Sequence, residues 1–178
     1  MLIKIIERAR RLTQKGEEVF ASPPLKLFLT RDVGIELFAE EAGILENFVQ
    51  LDDYDLWGAI KIWANHEDFI LSNLCQMLLD RRLFRIKLTN EAPEKDEIKR
   101  IEARIMETYG LKAKDAKYFL SHGKVTNNAY MASDQEILIL SKSGRVRDVV
   151  EAADLPNIKA MSKIVRKYYR CWPKDISL

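Results

Sequence analysis

Four cations fall between positions 81 and 87 with no acid among them: Arg81, Arg82, Arg85 and Lys87, with Phe84 at the centre of the run. A guanidinium fork binds phosphate oxygens through two parallel N–H donors, and an aromatic ring beside it offers a face to a base. The chemistry this corner could do is anion capture, most simply of a nucleotide phosphate. If the preceding helix continues through Arg85, Arg81 and Arg85 share one of its faces. The competing reading is a solvated basic edge, balanced by Asp80 and by the acids from Glu91 onward.

Catalysis has less to work with. The chain has two histidines, His66 and His122. His66-Glu67-Asp68 could serve a water-activating metal only with ligands from other elements. The spacing fits a joint between two helices better, with Asp68 capping the second. Ser121-His122-Gly123-Lys124 reads as a loop or strand end, and no Gly-x-Ser-x-Gly elbow is present. Asp52, Asp53 and Asp55 could hold a hard cation, but helix capping explains their position with a single carboxylate. Arg145 and Arg147, with Lys163, Arg166, Lys167 and Arg170, read as solvated cations with the neighbouring aromatics turned inward. No P-loop or dinucleotide glycine pattern occurs. Cys75, on an apolar helical face, reads as a small core residue, and a disulfide with Cys171 is not expected. No catalytic or metal-ligating residue is assigned.

Elements of two kinds must position the corner. Leu2, Ile5, Ile6, Ala9 and Leu12 recur at helical spacing, with Arg8, Arg11 and Lys15 assigned to the outer face and Gly16 as the stop. No capping residue precedes this helix, which hints at chain upstream. Pro23-Pro24 predicts an extended link. Leu37, Phe38, Ile44, Leu45 and Phe48 suggest two short helices with a turn near Gly43. Asp52 or Asp53 caps a helix whose stripe is Leu56, Trp57, Ile60, Trp63 and Ala64. After the joint at His66, Phe69, Ile70, Leu74, Cys75, Leu78 and Leu79 face inward on a second helix, giving an αα-hairpin.

Beyond Arg82 the period changes. Leu83, Phe84, Ile86 and Leu88 read as a short strand. Pro93 opens a charged helix with Ile98, Ile101, Ile105 and Tyr109 on one side, an Asp96–Arg100 pair, and Gly110 at its end. Strands are expected at 117–120 and 136–140, with a turn at Ser143-Gly144 and strand or helix character at Val146. A helix is expected over 148–153 and a helix-to-strand element over 162–173. The fold class is α+β and mainly helical: a helical region over 1–82 containing the αα-hairpin, then a smaller α+β region over 83–178 in which helices cover a small sheet.

With 178 residues the chain can bury a core without staples, and 47% hydrophobic with 31% charged residues suits a water-exposed globular chain. A net charge of +2 predicts no strong general attraction for nucleic acid. No window approaches about 18 uninterrupted apolar residues, so no membrane span is expected, and no signal peptide is recognised; a cytoplasmic location follows.

Three blocks resemble the C-terminal part of HD-domain phosphohydrolases, the superfamily that includes deoxynucleotide triphosphohydrolases. They are Ile5-Ile6-Glu7-Arg8-Ala9-Arg10-Arg11-Leu12; Leu51-Asp52-Asp53-Tyr54-Asp55-Leu56-Trp57 through Leu79-Asp80-Arg81-Arg82-Leu83-Phe84-Arg85; and a tail with Asn128-Ala129-Tyr130, Ile137-Leu138-Ile139-Leu140, Gly144-Arg145-Val146-Arg147-Asp148-Val149 and Lys167-Tyr168-Tyr169-Arg170-Cys171-Trp172-Pro173 in order. The family's metal-binding His…His-Asp…Asp set has no counterpart here. The resemblance therefore implies a non-catalytic C-terminal region whose upstream HD core would carry a divalent metal. It further implies a homo-oligomer, and Arg81 and Arg85 as contacts for an effector phosphate. The alternatives are a free-standing interaction module and a small enzyme built around His66 or His122.

Overall fold

The computed structural model describes residues 1–126, 138–148 and 166–177. Over them the chain is α+β and mainly helical, in agreement with the periodicities. The helices are α1 (Leu2–Gln14), α2 (Pro23–Thr30), α3 (Leu37–Glu40), α4 (Ile44–Gln50), α5 (Asp53–Trp63), α6 (Phe69–Leu79), α7 (Lys95–Tyr109) and α8 (Ala113–Ala116). The strands are β1 (Arg85–Thr89), β2 (Ser121–Thr126), β3 (Leu138–Leu140), β4 (Val146–Asp148) and β5 (Arg166–Trp172). No helix among the described residues is long and apolar enough to cross a membrane.

The chain divides into two compact units. The first comprises Met1–Ile86, Lys95–Ser121 and Cys171–Leu178; the second comprises Lys87–Glu94 and His122–Arg170. The first unit contains a continuous core in which Ile5, Leu12, Ile60, Trp63, Leu74 and Ile101 are all but inaccessible to water. Helices α1 and α6 pack together, as do α5 and α6, so the expected αα-hairpin is formed. Asp52 caps α5, accepting from the N–H groups of Tyr54 (2.7 Å) and Asp55 (3.2 Å), while the Asp55 carboxylate accepts from the Asp52 N–H (3.0 Å). Two otherwise orphaned stretches of backbone are thus satisfied reciprocally.

Several local expectations are corrected. Pro23-Pro24 begins α2 rather than an extended link, with Ser22 as its N-cap. Proline suits the first turn because the N–H it lacks has no helical partner there. Residues 117–120 do not form a strand. Tyr118 N–H donates to Asp115 O (3.1 Å) and Phe119 N–H to Ala116 O (2.9 Å), so the backbone is spent in local turns. Tyr118, Phe119 and Leu120 are buried in succession, which a half-exposed strand with alternating faces could not achieve. Trp57, Phe69 and Leu79 are exposed: the buried arc of α5 takes in Ala59 instead of Trp57, and that of α6 takes in Leu71 and Met77. Asp96 pairs with Lys99 at 3.5 Å, not with Arg100.

Strands β1, β5 and β2 form a three-stranded sheet in that order, with most residues of each strand belonging to the second unit. Strands β3 and β4 form an antiparallel hairpin with Leu138 opposite Asp148 and Leu140 opposite Val146. Gly144, at φ = +77°, makes the left-handed turn residue that the hairpin needs. Arg170, expected on a solvated face, is 4% exposed and donates to Thr89 Oγ1 (3.4 Å). It lies two residues from buried Trp172 and shares its side of the strand. The expectations for 136–137, 149–153 and 162–165, and the block Asn128-Ala129-Tyr130, lie outside the described residues.

Candidate functional site

Helix α6 stops at Leu79, and its closure sets the geometry of the basic corner. The Arg82 N–H donates to Met77 O (2.8 Å) and the Arg81 N–H to Leu78 O (3.2 Å). This is a Schellman ending, which places the residue after the cap in the left-handed region. That residue is Arg81, at φ = +58°. Glycines take the equivalent place after α1 (Gly16, φ = +84°) and α7 (Gly110, φ = +63°). An L side chain there costs about 1 kcal/mol from crowding of its Cβ. Because the helix ends, Arg81 and Arg85 do not share a helical face; Arg85 opens β1 instead.

The four cations have different surroundings. Arg81 is exposed and makes no ion pair with a described residue. Arg82 pairs with Asp80 (Nη2–Oδ2 3.2 Å), and both are so exposed that the pair contributes little. Arg85 lies with its guanidinium carbon 5.9 Å from the Trp172 ring centroid and donates from Nη2 to Lys174 O (3.3 Å). The Trp172 ring is itself fixed by burial and by donation from Nε1 to Ile176 O (3.3 Å). A guanidinium over a buried ring, with one donor spent on a backbone carbonyl, keeps most of its five N–H donors for an anion. Lys87 is exposed on β1. Phe84 packs toward Phe119 (6.5 Å between centroids) instead of standing out as a base-stacking ring.

Tyr109 donates its hydroxyl to Asp175, with the two carboxylate oxygens at 2.9 and 3.0 Å. Burial, then this bond and the Asp175 charge, push the Tyr109 hydroxyl above the ordinary tyrosine range; the nearby Arg82 charge opposes them. Tyr109 and Trp172 were not singled out as site residues by the sequence. Their only signal was aromatic type near the end of an element.

Arg8 was also misplaced. It is 8% exposed, not outward-facing. It donates from Nε to Asp68 Oδ1 (2.9 Å), from Nη2 to Asp68 Oδ2 (2.5 Å) and from Nη1 to Asp115 Oδ1 (3.2 Å), and lies 5.3 Å from the Tyr118 ring centroid. Its position between Ile5 and Leu12 in the stripe was the available signal. Hydrogen bonding to Asp68 raises its already high pKa. For Asp68, burial pushes upward, but the Arg8 bonds, the Leu71 N–H and the Arg8 charge outweigh it and hold the carboxyl below its usual range.

The remaining candidates have structural occupations. Asp68 caps α6 through the Leu71 N–H (2.9 Å), and its own N–H donates to His66 Nδ1 (2.9 Å). His66 therefore carries its proton on Nε2, which donates to Glu18 O (3.1 Å). His122 is exposed in β2. Burial pushes the Cys75 thiol up to about 12 and raises Cys171 as well; both cysteines are free. Among the described residues no three His, Cys, Asp or Glu side chains converge as a metal would require.

No family model matches the chain. It is similar to a phosphohydrolase from Bacteroides thetaiotaomicron VPI-5482 of known crystal structure, with 38% identity and a TM-score of 0.83; the match covers 97% of this chain and 43% of that one. It is also similar to the uncharacterized protein YwfO of Bacillus subtilis (strain 168), at 26% identity over 184 aligned residues, which take in 99% of this chain and 39% of the relative. The chain thus spans about two-fifths of the length of the relatives it matches, and it shares its fold with part of a phosphohydrolase.

Proposed function

We propose that this chain is the non-catalytic C-terminal region of an HD-superfamily, metal-dependent nucleotide phosphohydrolase, acting in oligomer assembly and in binding a nucleotide effector. The observation that carries the reading is the match of nearly the whole chain, at 38% identity, to 43% of a phosphohydrolase. Among the described residues His66 and Asp68 do not fit a divalent metal, since they are bound to Glu18, Leu71 and Arg8. In this reading the metal and the hydrolytic step belong to a separate HD core, and no step is assigned to this chain.

Arg81 and Arg85 are the proposed effector-phosphate contacts. Three features support them: the exposed Arg81 without an ion pair among the described residues, its left-handed backbone in a place that glycine fills elsewhere, and the Arg85 guanidinium over the Trp172 ring. Isothermal calorimetry with deoxynucleoside triphosphates tests the site. The chain should bind one of them, and Arg81→Ala combined with Arg85→Ala should weaken binding at least tenfold while leaving the circular dichroism spectrum unchanged. Equal affinities for the two proteins would remove the corner from the proposal.

A further inference from the structure

A cleft of about 660 Å³ lies in the first unit, where the 17–22 loop crosses the end of α5. Its volume is in the range of small-molecule sites. The loop over it is held at two points: Trp63 Nε1 donates to Phe20 O (2.8 Å), and His66 Nε2 donates to Glu18 O (3.1 Å). Val19 is 2% exposed and Trp63 1%, so both are buried behind the cleft and present almost no surface to it. Phe20 and Ile62 line the cleft yet remain about half exposed.

The polar lining is uneven in charge. Lys26, from the first turn of α2, and Lys61, from the last turn of α5, both line the cleft. Neither has an acidic partner among the described residues. Glu18 is the one carboxylate in the lining, and both His66 nitrogens are already engaged. Two lysines lining the same cleft as the half-exposed Phe20 and Ile62 match an anion that carries an apolar body. A bare ion would leave the apolar side chains wet, and an uncharged ring would leave the lysines unused.

We infer that this cleft binds a small aryl or alkyl anion, with its apolar part against Phe20 and Ile62 and its charge toward Lys26 and Lys61. The site is independent of the basic corner proposed above and of any enzymatic parent.

Phenyl phosphate is the probe, followed by ¹H–¹⁵N NMR on the full 178-residue chain. Saturable shifts of the Trp63 indole N–H and of the Val19 and Phe20 amides are expected. Lys26→Gln with Lys61→Gln should raise Kd at least tenfold, Lys26→Arg with Lys61→Arg should stay within about threefold, and Arg81→Ala with Arg85→Ala should leave the titration of the Trp63, Val19 and Phe20 signals unchanged. Inorganic phosphate and benzyl alcohol should each bind more weakly than phenyl phosphate. Absence of saturable shifts, an affinity indifferent to the Lys→Gln pair, or shifts that vanish with the Arg81 and Arg85 substitutions would each overturn the inference. The unaltered dispersion of the amide spectrum serves as the check that the variants are folded.

Discussion

Arg81 shows how a single backbone angle can separate stability from function. Gly16 and Gly110 end their helices at positive φ without a side chain to crowd, and Arg81 does the same job with one. Arg81→Gly should therefore raise unfolding free energy by about 1 kcal/mol in urea titration, while weakening any anion binding at the corner. An unchanged midpoint would mean that the arginine side chain contributes packing the backbone angle does not reveal. Arg8 presents the opposite case. Its removal leaves Asp68 and Asp115 partly buried without their cation, so Arg8→Ala should cost about 3 kcal/mol. Asp68 is held below its usual value of 3.8, so folding favours its ionised form. That contribution is complete above the unfolded value, and it is lost as pH falls through the lower, folded one. Stability measured against pH should fall below about pH 4, and Asp68→Asn should lessen the slope there. Identical slopes would place the acid sensitivity on other carboxylates.

At the level of elements, capping decided more than propensity did. The box formed by Asp52 and Asp55 fixes where α5 starts, and Asp52→Ala should cost about 1 kcal/mol by chemical denaturation, with the loss confined to this helix in hydrogen-exchange measurements. A loss of protection spread evenly over α1 and α6 would show that the cap serves the whole core instead. Ser22-Pro23-Pro24 carried a comparable start signal, because a serine followed by proline suits both the N-cap and the first helical position. Without Ser22, the two prolines by themselves favour an extended link. The same lesson applies to Tyr118-Phe119-Leu120, whose aromatic content suggested a strand while their unbroken burial required turns.

For the molecule as a whole, the order of the chain and the order of its packing differ. The first unit is assembled from three separate stretches, and its corner takes Arg81 and Arg85 from one, Tyr109 from another, and Trp172, Lys174 and Asp175 from the third. Activity, in the proposed reading, belongs to polypeptide beyond this chain. The purified chain should release no phosphate from deoxynucleoside triphosphates with Mg²⁺ or Mn²⁺ in a malachite-green assay. Release that survives repurification, and is lost in His66→Ala or His122→Ala, would replace that reading with an enzyme in its own right.

The sequence by itself determined the helices with a clear apolar period, a cap at Asp52 or Asp53 and one at Asp68, the glycine stops at 16 and 110, the turn at Gly43 and the basic run from Arg81 to Lys87. These depend on neighbours within one or two turns, and short-range sterics and hydrogen bonding act on them before any packing. Only the tertiary structure decided that Arg8 lies inside against two aspartates, that Trp57 and Phe69 lie outside, and that Trp172 seats Arg85. Each of those outcomes depends on a partner about 60 or more residues away or on which arc of a helix meets its neighbour, and residue type carries no information about either.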